Sequence, residues 1–164
     1  MLSENLLKEM NDQIKYEMYS ANYYLAMAAY CNEKNLPGFA NFFKVQANEE
    51  NMHAMKFFDF IDELGQRVLI QGLDEPANDF ESLEAVFKAA YEHEQFVTER
   101  IHLLMGIAVQ EKDYAAVSFL NWFVDEQVEE EDSMLTILNK IQMVGDKGQA
   151  LYMLDKEMSA RQSG

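Results

Sequence analysis

The chain is poor in the residues that interrupt helices or cross-link a fold. Its 164 residues include two prolines, seven glycines and a single cysteine, Cys31. One cysteine excludes an intramolecular disulfide framework and any iron–sulfur or zinc site built on cysteines. With so few helix breakers and many Ala, Leu, Met, Glu and Lys residues, the composition predicts long helices. The length suits one domain, spanning residues 1–164, with a substantial buried core.

Positive charge is also scarce. Thirteen Lys and Arg residues face twenty-nine Asp and Glu residues, which leaves a formal net charge of -16. Such a surface repels nucleic-acid phosphates and anionic membranes, and it attracts cations. The longest uncharged stretch, Met18 to Asn32, is too short and too polar to span a bilayer, and no secretory signal is visible. We therefore expect a cytoplasmic protein with no nucleic-acid and no membrane partner.

Sparse turn signals divide the chain into four long segments and one short one. Proline or glycine marks three of the breaks, and Lys112-Asp113 marks a weaker one. Ser3, Ser82 and Asp113 stand where helix N-caps are expected. The predicted helices span about 4–34, 39–64, 83–110, 114–144 and, for the short one, 147–160.

The connection lengths predict the topology. Two turns are short, so each joins an antiparallel pair of neighbouring helices. The stretch of about sixteen residues between the second and third helices can extend over ~50 Å, the length of such a bundle. We predict an all-α four-helix bundle with one long crossover and a short fifth C-terminal helix. The crossover includes an apolar patch, Arg67 to Gln71, that we expect to pair with a second subunit.

Each long helix carries apolar residues at alternate spacings of four and three, which is typical of a face turned toward a bundle core. Near its middle, each apolar stripe is interrupted by one carboxylate. The second helix adds a histidine three residues after its carboxylate, and the fourth adds a glutamine three residues before its own, on the same helix face. These six residues are Glu17, Glu50, His53, Glu94, Gln127 and Glu130.

Four carboxylates at one level of a core repel one another unless they are protonated or neutralised by cations. No Lys or Arg occupies the stripes, so metal ions are the natural counter-charge. Four carboxylates and one imidazole suit two first-row metal ions, with Glu50 bridging them, as in the di-iron bundle proteins. Here, however, Gln127-x-x-Glu130 replaces the second Glu-x-x-His motif of those proteins. One imidazole instead of two predicts a weaker second position, suited to iron in transit.

Several neighbouring residues have two interpretations. Gln127 either binds a metal ion or only hydrogen-bonds a neighbour. Tyr24 lies one heptad beyond Glu17, where it either touches a metal ligand or simply packs in the core. His93 and His102 lie off the stripes, and we expect both at the surface.

A second acidic group lies beside the stripes. Glu49 and Glu126 each lie next to a core-facing position. They either hold a third cation adjoining the metal pair or belong to a solvated acidic face.

Together, these motifs resemble the bacterial and archaeal type of non-haem ferritin over essentially the whole chain. The most specific motifs are Glu49-Glu50-Asn51-Met52-His53-Ala54, Tyr91-Glu92-His93-Glu94 and Asp125-Glu126-Gln127-Val128-Glu129-Glu130-Glu131. The resemblance implies a hollow shell of twenty-four subunits that stores iron. It further implies ferroxidase activity, in which O2 or peroxide oxidises Fe(II) and the ferric product is deposited inside as a mineral.

Carried over position by position, the resemblance implies three iron positions. The residues are Glu17, Glu50 and His53 for the first; Glu50, Glu94 and Glu130, with Gln127 nearby, for the second; and Glu49, Glu126 and Glu129, sharing Glu130, for the third. Tyr24 matches the tyrosine beside the family's catalytic site. The short terminal helix matches the one that lines the fourfold axis of the shell.

Two other functions compete with this prediction. A di-iron oxidase acting on an organic substrate would need a pocket beside the metals. An acidic shell that merely binds iron would leave oxidation to partner subunits. Haem-binding bacterioferritins, by contrast, carry Glu-x-x-His on both motif helices, and this chain does not.

Overall fold

The computed structural model describes residues 1–146 and 148–162, and its regular structure is entirely helical. The helices are α1 (Glu4–Glu33), α2 (Pro37–Glu63), α3 (Leu83–Glu111), α4 (Tyr114–Val144) and α5 (Gly148–Ser159). The predicted all-α fold is confirmed, and these bounds lie within two residues of the predicted ones. The predicted start of the last helix, at Lys147, lies outside the described residues. No helix in the described ranges is long and apolar enough to cross a membrane.

The three predicted N-caps are confirmed. The side chains of Ser3, Ser82 and Asp113 each accept a hydrogen bond of 3.0 Å from the backbone N–H three residues further on. Each bond satisfies a donor that the first turn of a helix leaves unpaired, so these residues define where α1, α3 and α4 begin.

The start of α2 is capped by a different helix. α2 begins at Pro37 and has no side-chain cap of its own. Instead, the carboxylate of Asp155 on α5 accepts a 3.0 Å hydrogen bond from the backbone N–H of Phe39. Gly38 lies so close to α5 that a Cβ built on it would lie 1.6 Å from the carbonyl oxygen of Asp155. Only a glycine allows α5 to pack here.

Helices α1 and α3 run antiparallel. Ser3, before the start of α1, donates a 2.9 Å hydrogen bond to Glu111 at the end of α3. Tyr24, toward the end of α1, donates to Glu94 in the first half of α3. The segment between α2 and α3 therefore carries the chain from one end of the bundle to the other, as its length predicted.

Asn11 of α1 holds the crossover. Its side chain donates to the carbonyl of Arg67 at 3.1 Å and accepts from the N–H of Leu69 at 2.7 Å. Leu69 and Ile70 remain 53% and 63% exposed in the isolated chain. The expected contact of this patch with a second subunit stays a prediction.

The apolar core consists of two clusters separated by a polar layer. One cluster contains α1 residues up to Ile14, and the other contains α1 residues from Ala21 onward. Glu17 lies between them and is fully buried. The same order holds in α2, α3 and α4, so the buried carboxylates occupy the middle of the bundle.

Candidate metal centre

The five residues predicted to converge at the middle of the bundle do lie together. Two groups can each hold a metal ion, and within each group the ligand atoms lie within 4.8 Å of one another. The groups are Glu17, Glu50 and His53, and Glu50, Glu94 and Glu130. All five side chains are buried. Because Glu50 belongs to both groups, its carboxylate is placed to bridge two ions.

The first group contains two buried polar atoms that the described residues leave without a hydrogen-bond partner. These atoms are Oε2 of Glu17 and Nδ1 of His53. Nδ1 lies 3.8 Å from that oxygen and 3.6 Å from Oε2 of Glu50. Buried polar atoms are nearly always paired, so an unpaired oxygen and nitrogen facing each other fit the ligands of a cation.

The charges of this first group depend on one another. Burial alone would lower the pKa of His53, but its interactions with the carboxylates of Glu17, Glu130 and Glu126 together outweigh burial and raise the pKa to about 9. Burial would likewise raise the pKa of Glu17, but its interactions with His53, Glu50 and Gln13 together outweigh burial and lower it. Without metal, the His53 proton therefore partly neutralises the group.

The second group favours protons when no cation is present. Burial, followed by repulsion from the neighbouring carboxylates, raises the pKa values of Glu50 and Glu130 well above their ordinary range. Burial also raises the pKa of Glu94, to about 7. A metal ion that binds these oxygens must therefore displace protons.

The Glu94 carboxylate is oriented from two other helices. Tyr24 on α1 donates its hydroxyl hydrogen to Oε1, and Gln127 on α4 donates to Oε2 at 3.1 Å. Burial and the surrounding carboxylates raise the pKa of Tyr24 well above its ordinary range, so its hydroxyl keeps the proton that it donates. Gln127 also donates to Thr98 at 3.2 Å, so its amide nitrogen acts here as a hydrogen-bond donor.

Two further buried amides orient carboxylates of the cluster. Gln13 donates to Oε1 of Glu17 at 3.2 Å. Gln46 donates to Oε1 of Glu50 at 3.2 Å and to Oε2 of Glu130. Gln13 was not among the site residues predicted from the sequence. Its spacing of four residues from Glu17, on the same helix face, was the available signal.

A third group adjoins the pair. Oε1 of Glu126 lies 4.0 Å from Nε2 of His53, and these two residues form a possible ligand group with Glu130. His53 therefore faces the first group through one ring nitrogen and this third group through the other.

The other two residues implied for a third position do not join any such group in the described residues. Glu129 is exposed on α4. Glu49 instead forms an ion pair with Arg161 near the C-terminus, with 3.1 Å between Oε2 and Nη2. The structure thus brings Glu126 and Glu130 together at the third group but leaves Glu49 and Glu129 outside it.

His93, expected at the surface, is half-buried against α1, whereas His102 is exposed as expected. Nε2 of His93 lies 2.6 Å from the hydroxyl of Ser20, and the ring packs edge-on against Tyr23 and Tyr24. Burial lowers the pKa of His93 to about 4, so the ring is neutral at pH 7. The position is off the α3 core stripe, but it faces α1, which packs along that side.

A helical bundle with one long crossover and a central cluster of buried carboxylates and a histidine defines the ferritin-like class of proteins. A model of the ferritin-like domain family matches residues 7–144. The bacterial non-haem ferritin of Staphylococcus aureus is 47% identical over 161 residues, which cover 98% of this chain and 97% of that protein. A probable bacterial non-haem ferritin-like protein of Haemophilus influenzae is 42% identical over 158 residues, or 96% of both.

A solved structure agrees with these relatives. The open pore ferritin of the archaeon Archaeoglobus fulgidus superposes with a TM-score of 0.97 at 49% identity, covering 99% of this chain and 100% of that one. The chain therefore belongs to the ferritin family. It is similar in particular to prokaryotic non-haem members, and iron storage is its function at the level of the family. The buried Glu and His groups are consistent with a ferroxidase di-iron site.

Proposed function

We propose that this ferritin is a ferroxidase whose substrate is Fe(II), bound in pairs at the centre of the bundle. Glu17, Glu50 and His53 hold the first ion, and Glu50 bridges to a second ion held with Glu94 and Glu130. The observation that carries the proposal is the shared Glu50, which belongs to two buried ligand groups at once. The unpaired atoms of Glu17 and His53 support the first position independently.

The reaction requires two electrons and two protons for each dioxygen reduced to hydrogen peroxide. Two Fe(II) ions supply the electrons and become Fe(III), one electron each. The two protons convert O2 to H2O2, and peroxide can serve as the oxidant for a further pair of ions. Carboxyl groups that release protons as iron binds lie beside the reacting ions, because burial has raised the pKa values of Glu50, Glu94 and Glu130.

The protein contributes positions and charge to this chemistry. Tyr24 and Gln127 orient both oxygens of Glu94, so the second ion meets a carboxylate already aimed at it. Gln127 stands at the start of the motif that is Glu-x-x-His in related di-iron bundles, and its amide carries no negative charge. The weaker attraction favours release of Fe(III) from the second position. We propose that released iron moves next to a third position made by Glu49, Glu126 and Glu129 with Glu130.

Assembly completes the proposed function. As the family resemblance implies, twenty-four copies would form a hollow shell, with α5 near its fourfold axis and ferric mineral inside. The formal charge of -16 supports attraction of cations to such a shell. A cytoplasmic location stays a prediction from the sequence. Native mass measurement tests the shell directly, and a monomer or small oligomer at micromolar concentration would refute it.

The ferroxidase proposal is tested by mixing metal-free protein with two Fe(II) per subunit under anaerobic conditions and then adding oxygen. We expect rapid oxygen consumption and a transient absorbance of paired Fe(III). Glu94→Ala should slow oxidation by about a hundredfold, since it removes a ligand together with its charge. Oxidation by that variant at the wild-type rate would refute the site. Iron uptake without oxygen consumption would instead indicate a container that depends on partners for oxidation.

The rival function, oxidation of an organic substrate, lacks support from the cavities. A cavity of about 740 Å³ beside α1, α3 and the crossover is lined by His93 and Phe96 but by none of the cluster carboxylates. A smaller one of about 250 Å³ is lined by Trp122 and Phe123. Neither brings an organic substrate against the proposed iron ligands.

A further inference from the structure

The carboxylate of Glu49 is held by a residue at the far end of the chain. Nη2 of Arg161 lies 3.1 Å from its Oε2, although the two residues are separated by 112 positions. The pair is mostly shielded from solvent, with side chains 14% and 22% exposed. It is therefore screened less than an ordinary surface ion pair.

Arg161 is anchored on both its backbone and its side chain. The amide of Asn41 donates to the carbonyls of Met158, Ser159 and Arg161 at 3.1–3.3 Å. The guanidinium carbon lies 4.3 Å from the centre of the Phe42 ring, a cation–π contact. These contacts hold the positive charge against α2, beside Glu49.

Arg161 nevertheless binds Glu49 through only one of its two terminal nitrogens. Nη1 of Arg161 is buried and has no hydrogen-bond partner among the described residues. The pair thus rests on one hydrogen bond and not on the two parallel bonds that make arginine–carboxylate pairs strong. An ion competing for Glu49 needs to displace only that bond.

Glu49 lies on α2 directly before Glu50, the residue shared by both buried ligand groups of the metal centre. The third ligand group consists of His53, Glu126 and Glu130, without Glu49. The carboxylate of Glu49, which the family resemblance adds to this position, is paired with Arg161.

We propose that Arg161 competes with the third cation for the Glu49 carboxylate and so keeps the third iron position weak. A guanidinium and a metal ion cannot both use the same oxygen, and their like charges repel at this distance. Iron that leaves the di-iron site is then held only briefly at the third position before it passes to the interior of the shell. Arg161 is a positioning residue for this transfer. The inference rests on the proposed third position and leaves the two iron positions of the pair unchanged.

The test is calorimetric titration of the metal-free assembled protein with Zn²⁺, which occupies such ligands without redox chemistry. In Arg161→Gln, we expect the third and weakest binding event to become about fivefold tighter, the scale of a partly shielded ion pair. Arg161→Lys keeps the charge and should stay near wild type. Lys156→Gln removes an exposed positive charge from α5, the helix that precedes Arg161, without touching Glu49, and should change nothing.

Combining the Arg161 and Glu49 substitutions distinguishes competition for the Glu49 carboxylate from a general structural effect of Arg161. In a Glu49→Gln background, Arg161→Gln should no longer tighten the third event, since the contested carboxylate is gone. An unchanged or weaker third event in Arg161→Gln, or a gain that persists in the Glu49→Gln background, overturns the inference. So does the absence of a third event in both wild type and variant. If instead the two tight events are missing from wild type, it is the proposed di-iron site that fails.

Discussion

Tyr24 on α1 donates a hydrogen bond to one carboxylate oxygen of Glu94 on α3, at the level where the two apolar clusters of the core meet. Gln127 occupies the second oxygen of the same carboxylate. The orientation of Glu94 is thus set by α1 and α4 together, before any ion arrives.

Replacing Tyr24 by Phe should slow iron oxidation while leaving the fold intact. The lost hydrogen bond frees one oxygen of Glu94 and raises the pKa of that carboxyl further, since the bond lowers it. We expect the oxidation rate to fall about ten- to a hundredfold, as for other ligand-orienting groups, with a stability loss of about 1 kcal/mol. Rapid-mixing absorbance measures the rate. Tyr23→Phe, on the half-buried neighbouring ring, is the control. Equal rates in wild type and Tyr24→Phe would leave Tyr24 as a core residue only.

The stability of the metal-free protein should depend on pH through Glu94. Its pKa is about 7 in the folded protein against an ordinary value of 4.5. The stabilisation from its bound proton is therefore fully present below pH 4.5 and is lost as pH rises through 7. Glu94→Gln has no titrating carboxyl at this position and does not lose this stabilisation. Between pH 5 and 8, the stability of the variant relative to wild type should therefore rise by on the order of 1–3 kcal/mol.

The measurement is thermal unfolding of both metal-free proteins at fixed salt across that range. His53, with a raised pKa of about 9, and His93, with a lowered pKa of about 4, also change stability with pH, in opposite directions. Both are present in each protein, so the difference between the two curves isolates the cluster around Glu94. A difference that does not change with pH would contradict the assigned protonation.

Replacing Gln127 by Glu should make the second iron position hold its ion longer. The substitution adds a fifth carboxylate beside Glu94 and removes a hydrogen-bond donor from it. We expect Zn²⁺ to bind the second position about tenfold more tightly, because another negative charge faces the ion. The metal-free variant should be less stable for the same reason. Calorimetry and unfolding of one preparation check both effects, and tighter binding without destabilisation would count against this explanation.

Two glycine substitutions should have opposite effects on stability, because one glycine lies at the contact between α2 and α5 and the other faces open space. Gly38→Ala places a methyl group against the backbone of α5, and it should destabilise the protein by about 1–3 kcal/mol. Gly106→Ala, within α3, meets nothing within 4 Å and should stabilise by about 0.5–1 kcal/mol. Thermal unfolding compares the two variants, and limited proteolysis reports whether α5 is released. Equal effects in both would mean that α5 does not depend on Gly38.

Much of the fold and of the cluster followed from local patterns. The stripe on each helix defines which side chains face inward, so a carboxylate on a stripe must be buried wherever the helix packs. That reasoning brought Glu17, Glu50 and Glu130 to one level without knowledge of the structure. N-caps are equally local, which is why Ser3 and Ser82 could be assigned from their neighbours in sequence.

Contacts that depend on how distant segments meet could not be predicted in this way. The stripe pattern describes the faces that point to the centre, and His93 lies on a different face that α1 covers. Arg161 reaches Glu49 only because the C-terminal helix folds back along α2, and no spacing in the sequence encodes that meeting. The amide of Gln127 could face either a metal or a carboxylate, and only the packed structure assigns its nitrogen to Glu94.

The polar layer between the two apolar clusters limits the thermal stability of this protein. Each apolar cluster is continuous across all four long helices, but the layer between them holds charges that resist being buried together. Replacing that layer with leucine and methionine should join the clusters and raise the melting temperature, at the cost of every proposed iron ligand. Substitutions chosen for thermal stability alone would therefore remove the candidate metal centre first. Ionisable side chains at this depth therefore indicate a role in binding cations, because stability alone would favour apolar residues there.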